Sequence, residues 1–227
     1  MNPQPHFMAA IRPHYFLTIG DVQKIAAAEV VLFADHLRYT KQSPITRALF
    51  PGVQETLLLS IPVRHPETLN APLYTIQIDD RQFRARRHLR ALKLYYHYAP
   101  YFESYFSYLE KHYRFIPVHL VDFLWTLTCW QMQVLFPGKA LFRATSEGIQ
   151  EPDDLIHFMK VQELTHFICT SAEAAYYAKN YPPIPYNVLP EMDLHGWKPF
   201  PSLQSHHAFL AILFYHGPGP QYRLTIT

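Results

Sequence analysis

Glycine is scarce, with 7 in 227 residues. A chain so short of it is a poor source of a backbone loop that wraps phosphate, and neither a G-x-G-x-x-G nor a Walker pattern occurs. Cysteine is scarcer still. Cys129 and Cys169 each sit in apolar sequence and read as buried free thiols of a reducing compartment, with nothing that calls for a disulfide. The longest apolar run, residues 115–136, is interrupted by His119, Asp122 and Gln131, which makes it too polar for a membrane span. Residues 1–6 lack the basic-then-apolar pattern of a secretory leader, so a cytoplasmic location is expected. A net charge of +2 is too small to argue for nucleic-acid binding. No H-E-x-x-H or Cys–His spacing accompanies the 14 histidines, among them His195 and the adjacent His206 and His207. No metal site is expected, and no cofactor is named.

What is present is the composition of an ordinary globular protein: 49% hydrophobic, 17% charged, and rich in Tyr and Phe at 16 each. The length suits one α/β domain over residues 1–227, large enough for a substantial core. Residues 8–11 and 30–35 read as strands with a helix between them. A basic loop follows over 36–51, then two strands at 55–63 and 74–78 whose closeness suggests an antiparallel pair. Residues 80–136 form a helical segment, with helices at about 79–98, 101–113 and 117–136. The last is apolar nearly all round and so central. Strands at 140–144, 166–169 and 186–189 then alternate with helices at 153–162 and after 171. A loop with Trp197 and Phe200 precedes a closing helix at 206–215, stopped by Gly217. This alternation implies a layered α/β sandwich with a mixed, largely parallel central sheet.

The chain is organised around residues 9–25. A short strand ends at Pro13, which has no N–H for a ladder. Thr18 then caps a helix with Asp21 in its first turn and Ile19, Val22 and Ile25 at helical spacing. Strand, polar loop, helix is where α/β folds place ligands, because a helix N-terminus offers free N–H groups and partial positive charge. Arg12, His14 and Tyr15 fall on that loop. With Asp35, Arg38 and Arg47 they compose an anion pocket, since Arg binds phosphate or carboxylate bidentately; the alternative is a structural ion pair between Arg12 and Asp35. Ser146 and Ser171 each follow a strand. As nucleophiles they would need a base, His14 or His88, brought up by the fold, and no G-x-S-x-G elbow exists. The plainer reading is capping of the next helix by Thr170 or Ser171. Arg81, Arg84, Arg86, Arg87, Arg90 and Lys93 place 6 of the 20 cations within 13 residues, either a solvated helix face or a contact for lipid headgroups, nucleotides or nucleic acid.

Several stretches together resemble the WbqC-like family. Arg12-Pro13-His14-Tyr15-Phe16 with Ile19-Gly20 is similar to the family's opening Gln-Pro-Asn-Tyr-Phe motif. Asp35 to Tyr39, Thr46-Arg47, Arg87-His88, Tyr96 to Phe102, Ala144 to Ser146 and Leu210 to Gly217 resemble later motifs in the same order. The departures fall on polar positions. Arg12, His14, His36, Arg38 and Thr46 stand where the family has amides or an acid, and Ala208 and Ala211 stand where it usually has Ser and Asp.

The resemblance implies a transferase of bacterial surface-polysaccharide assembly, moving an acyl or aminoacyl group to an amino sugar or nucleotide-linked sugar. His14 or His88 would be the base, and the ligand a nucleotide sugar or acyl donor. The alternative is a non-catalytic relative that binds a ligand or partner, consistent with the two alanines.

Overall fold

The computed structural model describes residues 4–64, 71–181, 184–190, 194, 199–200, 202–217 and 219. His195 and Trp197 lie outside them, as does residues 65–70 of the proline-bounded loop. Five strands form one sheet: β1 (Phe7–Ile11), β2 (Val30–Phe33), β5 (Ala140–Arg143), β6 (His166–Cys169) and β7 (Tyr186–Val188), in the order β5-β2-β1-β6-β7. Every pairing is parallel, with Ala9 opposite both Val31 and Ile168. β3 (Arg47–Phe50) and β4 (Leu57–Ser60) make a separate antiparallel pair.

Helices cover both faces, as parallel strands require. α1 (Ile19–Ala27) joins β1 to β2, moving one way along the sheet. α5 (Pro152–Val161) joins β5 to β6, and α6 (Ser171–Asn180) joins β6 to β7, both moving the other way. Right-handed crossovers in opposite directions put their helices on opposite faces. The side chains of β1 divide accordingly. Ile11 belongs to the larger core with Ile19, Val22 and Ile25 of α1, whereas Met8 packs with Leu155 of α5 and Tyr177 of α6.

The larger core also takes in α2 (Ala85–Tyr96), α3 (Phe102–His112), α4 (Leu120–Leu135) and α7 (Leu210–His216). The apolar α4 is buried on most of its surface, in keeping with the central place read for it. Lys139 closes the far end of α1, its Nζ donating to the carbonyls of Ile25 and Ala28, both at 2.6 Å; a cation there satisfies orphan carbonyls and suits the helix dipole.

The layered α/β sandwich is the architecture the segment pattern implies, and several local expectations are corrected. Residues 74–78 are not a strand: a 3-10 turn (Leu73–Thr75) occupies the start, and isolated bridges, Ile78 to Val63 and Gln77 to His119, are all that follow. The antiparallel partner of β4 is instead β3, from within the stretch read as loop. The helix expected from Asp79 begins at Ala85, because Phe83 turns inward to pack on His88 and Phe123. α7 begins four residues late, because the backbones of His207 and Ala208 are already bonded to Ile19 and Leu49.

Candidate functional site

β1 and β6 lie side by side, but the chain leaves them in opposite directions, β1 towards β2 and β6 towards β7. That divergence opens a crevice at their carboxyl ends, the place where open α/β sheets bind ligands. The loop from Arg12 to Thr18 forms one lip. It is held by backbone bonds from Tyr15 N to Pro44 O (2.8 Å) and from Phe209 N to Leu17 O (2.9 Å), and by the Gln131 amide oxygen accepting from Leu17 N at 3.2 Å. The start of α6 forms the other lip.

The two lips are built alike. Thr18 and Asp21 form a capping box at α1, and Thr170 and Glu173 form one at α6. In each, the carboxylate accepts from the threonine N–H, at 3.0 Å in both cases. Reciprocal bonding of this kind satisfies donors that a helix start otherwise leaves orphaned. The acids therefore sit at adjacent helix N-termini inside the crevice.

A charged network joins them. Lys24, buried on α1, donates to Glu173 Oε1 at 2.7 Å and lies 3.8 Å from Asp21 Oδ1. His14 Nδ1 lies 2.6 Å from Asp21 Oδ2. Burial alone would raise the pKa of Asp21, but the charge and hydrogen bond of His14, with Lys24 and the Thr18 N–H, hold it well below the ordinary carboxylate range. An ionised carboxylate only accepts, so Nδ1 of His14 carries a proton, and Nε2 is the ring nitrogen that Asp21 leaves free.

Two clefts meet at this network. One, of about 520 Å³, is lined by His14, Asp21, Lys24, Ser171 and Glu173, with Gln204 and Ser205 opposite. On the other side of the β1 loop an outer chamber of about 730 Å³ leads to an inner one of about 210 Å³. Arg12, His36, Tyr176 and Tyr181 line both chambers, and Arg38 and Thr145 line the outer. Ala10, Leu32, Ala34 and Leu155 make the inner one apolar. Glu173 and Ala172 border the inner chamber and the first cleft alike, so the Glu173 side chain that Lys24 holds stands between them. Among the described residues His36 Nδ1 is buried with no hydrogen-bond partner, and burial lowers the pKa of the ring against the pull of Asp35, Glu151 and Asp154. His36 as a residue lines both chambers, with this nitrogen turned away from open space.

The residues singled out from sequence divide between these clefts and the interior. Arg12 and Arg38 share the two-chambered cleft, while His14 and Ser171 share the other. Ser171 is the first helical residue of α6, and Thr170 is the cap. Tyr15 faces the core, where its hydroxyl bonds His88 Nδ1 at 2.7 Å and the Tyr113 hydroxyl. Burial lowers the pKa of His88 to about 4, so it is a neutral core histidine. Asp35 does not pair with Arg12. It is fully buried and accepts from Arg143 Nε (2.5 Å), Thr145 N (2.9 Å) and Thr145 Oγ1 (2.6 Å), tying the end of β2 to that of β5. Arg47 lies on β3 opposite Ser60, and Ser146 is exposed in the turn after β5. Both thiols are free, and burial raises the pKa of each, that of Cys169 to about 11. Among the described residues no group of three or more His, Cys, Asp or Glu is placed to hold a metal.

Lys24, Glu173, His36, Tyr176 and Tyr181 carry no flag in the sequence as site residues. One signal was present: Thr18-x-x-Asp21 and Thr170-x-x-Glu173 repeat the same capping spacing after the two strands, and Lys24 follows Asp21 by three residues. No curated protein and no solved structure matches the chain. The family model described as the WbqC-like protein family matches residues 12–182, from the loop that forms one lip of the crevice through the helix that forms the other. This is well over half of the chain, which therefore belongs to the WbqC-like protein family.

Proposed function

We propose that the protein is a transferase that moves an acyl or aminoacyl group onto an amino sugar or nucleotide-linked sugar in bacterial surface-polysaccharide assembly. The observation that carries this reading is the His14–Asp21 pair at the β1/β6 crevice. In acyl transfer the attacking amine or hydroxyl must lose a proton as it adds to the acyl carbonyl. His14 Nε2 accepts that proton while Asp21 holds the ring and stabilises the imidazolium, and the imidazolium returns it to the leaving group of the acyl donor as its bond to the acyl carbon breaks, a role worth about 10²–10⁴-fold in rate. Arg12 and Arg38 supply positive charge for a phosphate or carboxylate, and the rings of Tyr176 and Tyr181 offer walls for a sugar or base. The partition between the clefts suits two substrates that meet at one edge.

The test begins with thermal shifts of the purified protein against nucleotide sugars, acyl donors, nucleotides and amino acids. A ligand at about 100 times its dissociation constant stabilises by about 2.7 kcal/mol. His14→Gln is then expected to retain binding and lose turnover by about 10²-fold or more. Turnover unchanged in His14→Gln refutes the assignment. A second reading, a ligand-binding relative without catalysis, rests on Ala208 and Ala211. Both are buried, Ala208 bridging to Thr18 at the start of α1, and bring only methyl groups where the family usually carries polar side chains. Binding without turnover of any bound pair would select it.

A further inference from the structure

We propose that the outer face of α2 docks on an anionic lipid surface. The helix presents Arg86, Arg87, Arg90 and Lys93 to solvent, and no acidic residue occurs anywhere between Asp80 and Glu103. Among the described residues none of these four cations has an ion-pair partner. The arrangement works against the helix itself. Arg86 and Arg87 occupy the first turn, where the helix dipole disfavours cations, the cap residue Arg84 makes no side-chain capping bond, and the first turn contains no acid. Arg86–Arg90 and Arg90–Lys93 are like-charge neighbours at spacings of four and three, each of which destabilises a helix slightly. A local arrangement that costs stability without compensation inside the fold points to a partner outside it.

The same face carries exposed apolar groups. Leu94 is 72% exposed and Tyr98 86%. Leu94 lies four residues after Arg90 and seven after Arg87, so it stands among the cations, with Tyr98 one turn beyond. The helix cannot roll to hide them. Leu92 and Tyr96 are buried beneath it, the Tyr96 hydroxyl donates to Pro51 O at 2.5 Å, and the Tyr95 hydroxyl donates to Glu55 at 2.7 Å. Cations surrounding an aliphatic side chain on one helix face, with an aromatic ring in the turn just past the helix, match a bilayer interface, which takes charge at the headgroups and apolar groups just below. A nucleic-acid backbone would use the arginines but give Leu94 nothing to bury against. The overall charge of +2 also supplies no wider field for a polyanion, so the positive charge acts at short range. This inference does not rest on the transferase reading, since α2 lines neither cleft.

The experiment is sedimentation of the full chain with vesicles of phosphatidylcholine alone or with about one-third phosphatidylglycerol, at low and high salt. Binding to the anionic vesicles only, weakening with salt, is expected. Arg87→Ala with Arg90→Ala should weaken it roughly 25-fold, about fivefold per arginine, while Arg87→Lys with Arg90→Lys should bind nearly as wild type does. Leu94→Ser should reduce the binding that survives high salt. Circular dichroism melts should show that every variant stays folded, because the substituted side chains are in solvent, with the double alanine variant at or slightly above wild type once like charges are removed. No sedimentation with anionic vesicles at low salt overturns the proposal, as does binding to duplex DNA or RNA without binding to vesicles.

Discussion

Lys24 is the group whose removal tests the crevice most directly. Its side chain is 5% exposed and lies between a 2% exposed Asp21 and a 29% exposed Glu173. Coulomb attraction falls as the inverse of distance, so the 3.8 Å arm to Asp21 is roughly seven-tenths as strong as the 2.7 Å arm to Glu173. Asp21 also retains His14 and Thr18 when Lys24 is gone, whereas Glu173 retains only Thr170. The main loss is therefore the Glu173 arm. Breaking a buried pair costs about 3–5 kcal/mol, and the partial exposure of Glu173 places Lys24→Met near the low end, about 3 kcal/mol. For a chain of this length that lowers Tm by roughly 6–12 °C. Glu173→Gln alone should cost about 1–2 kcal/mol, since the amide still accepts from Lys24 but loses one capping bond. The double variant should be more stable than the sum of the two losses by at least 1 kcal/mol, approximately, measured by urea unfolding followed by tryptophan fluorescence. Additive losses would show that the two residues do not act on each other and would remove the partition between the clefts.

Acid should destabilise the fold before any carboxylate responds. Burial depresses His88 and His207 to about 4 from the ordinary 6.5. Between those values the unfolded chain binds more protons, so stability falls as pH drops from 6.5 and levels off below about 4. The loss is about 3 kcal/mol for the buried His207 and less for the partly exposed His88; pH-dependent urea midpoints should show it, and His88→Gln should flatten part of the slope. The Asp21 contribution has the same sense, because its folded pKa is also depressed, but it acts at lower pH. It is present above the ordinary carboxylate pKa of 3.8 and lost only in stronger acid, as pH falls through the depressed folded value. Asp35→Ala should cost about 3 kcal/mol by thermal melt, because it strips the buried one of two carboxylates from Arg143, leaving Asp122, and leaves Thr145 N–H without its acceptor. Gly217→Ala should cost about 2 kcal/mol: its φ of +67° suits glycine, and an added Cβ would lie 2.8 Å from the Tyr101 ring. Shortening Tyr101 as well should recover only the collision, which a melt of the double variant would show.

Local pattern alone carried the strand–helix alternation, the cap at Thr18 and the central apolar helix, because periodicity and capping are properties of neighbouring residues. Residues 166–169 read as a strand and are β6 to the residue. The loop after β1 was legible as the place for ligands for the same reason, since strand, polar loop and helix follow one another directly. Tertiary structure decided which way the side chains of that loop face. His14 and Tyr15 are adjacent, yet one meets Asp21 in the crevice and the other meets His88 and Tyr113 in the core. It also chose the partner of Asp35. Arg143 and Thr145 lie more than a hundred residues away and reach Asp35 because β5 pairs with β2, whereas Arg12, just past the end of the neighbouring strand β1, turns to the two-chambered cleft. Glu173 joins Lys24 across 149 residues by the same logic. Side-chain periodicity is written in the chain one residue at a time, but an ion pair between two strand ends exists only after the sheet order is set, and that order is an outcome of packing the whole chain.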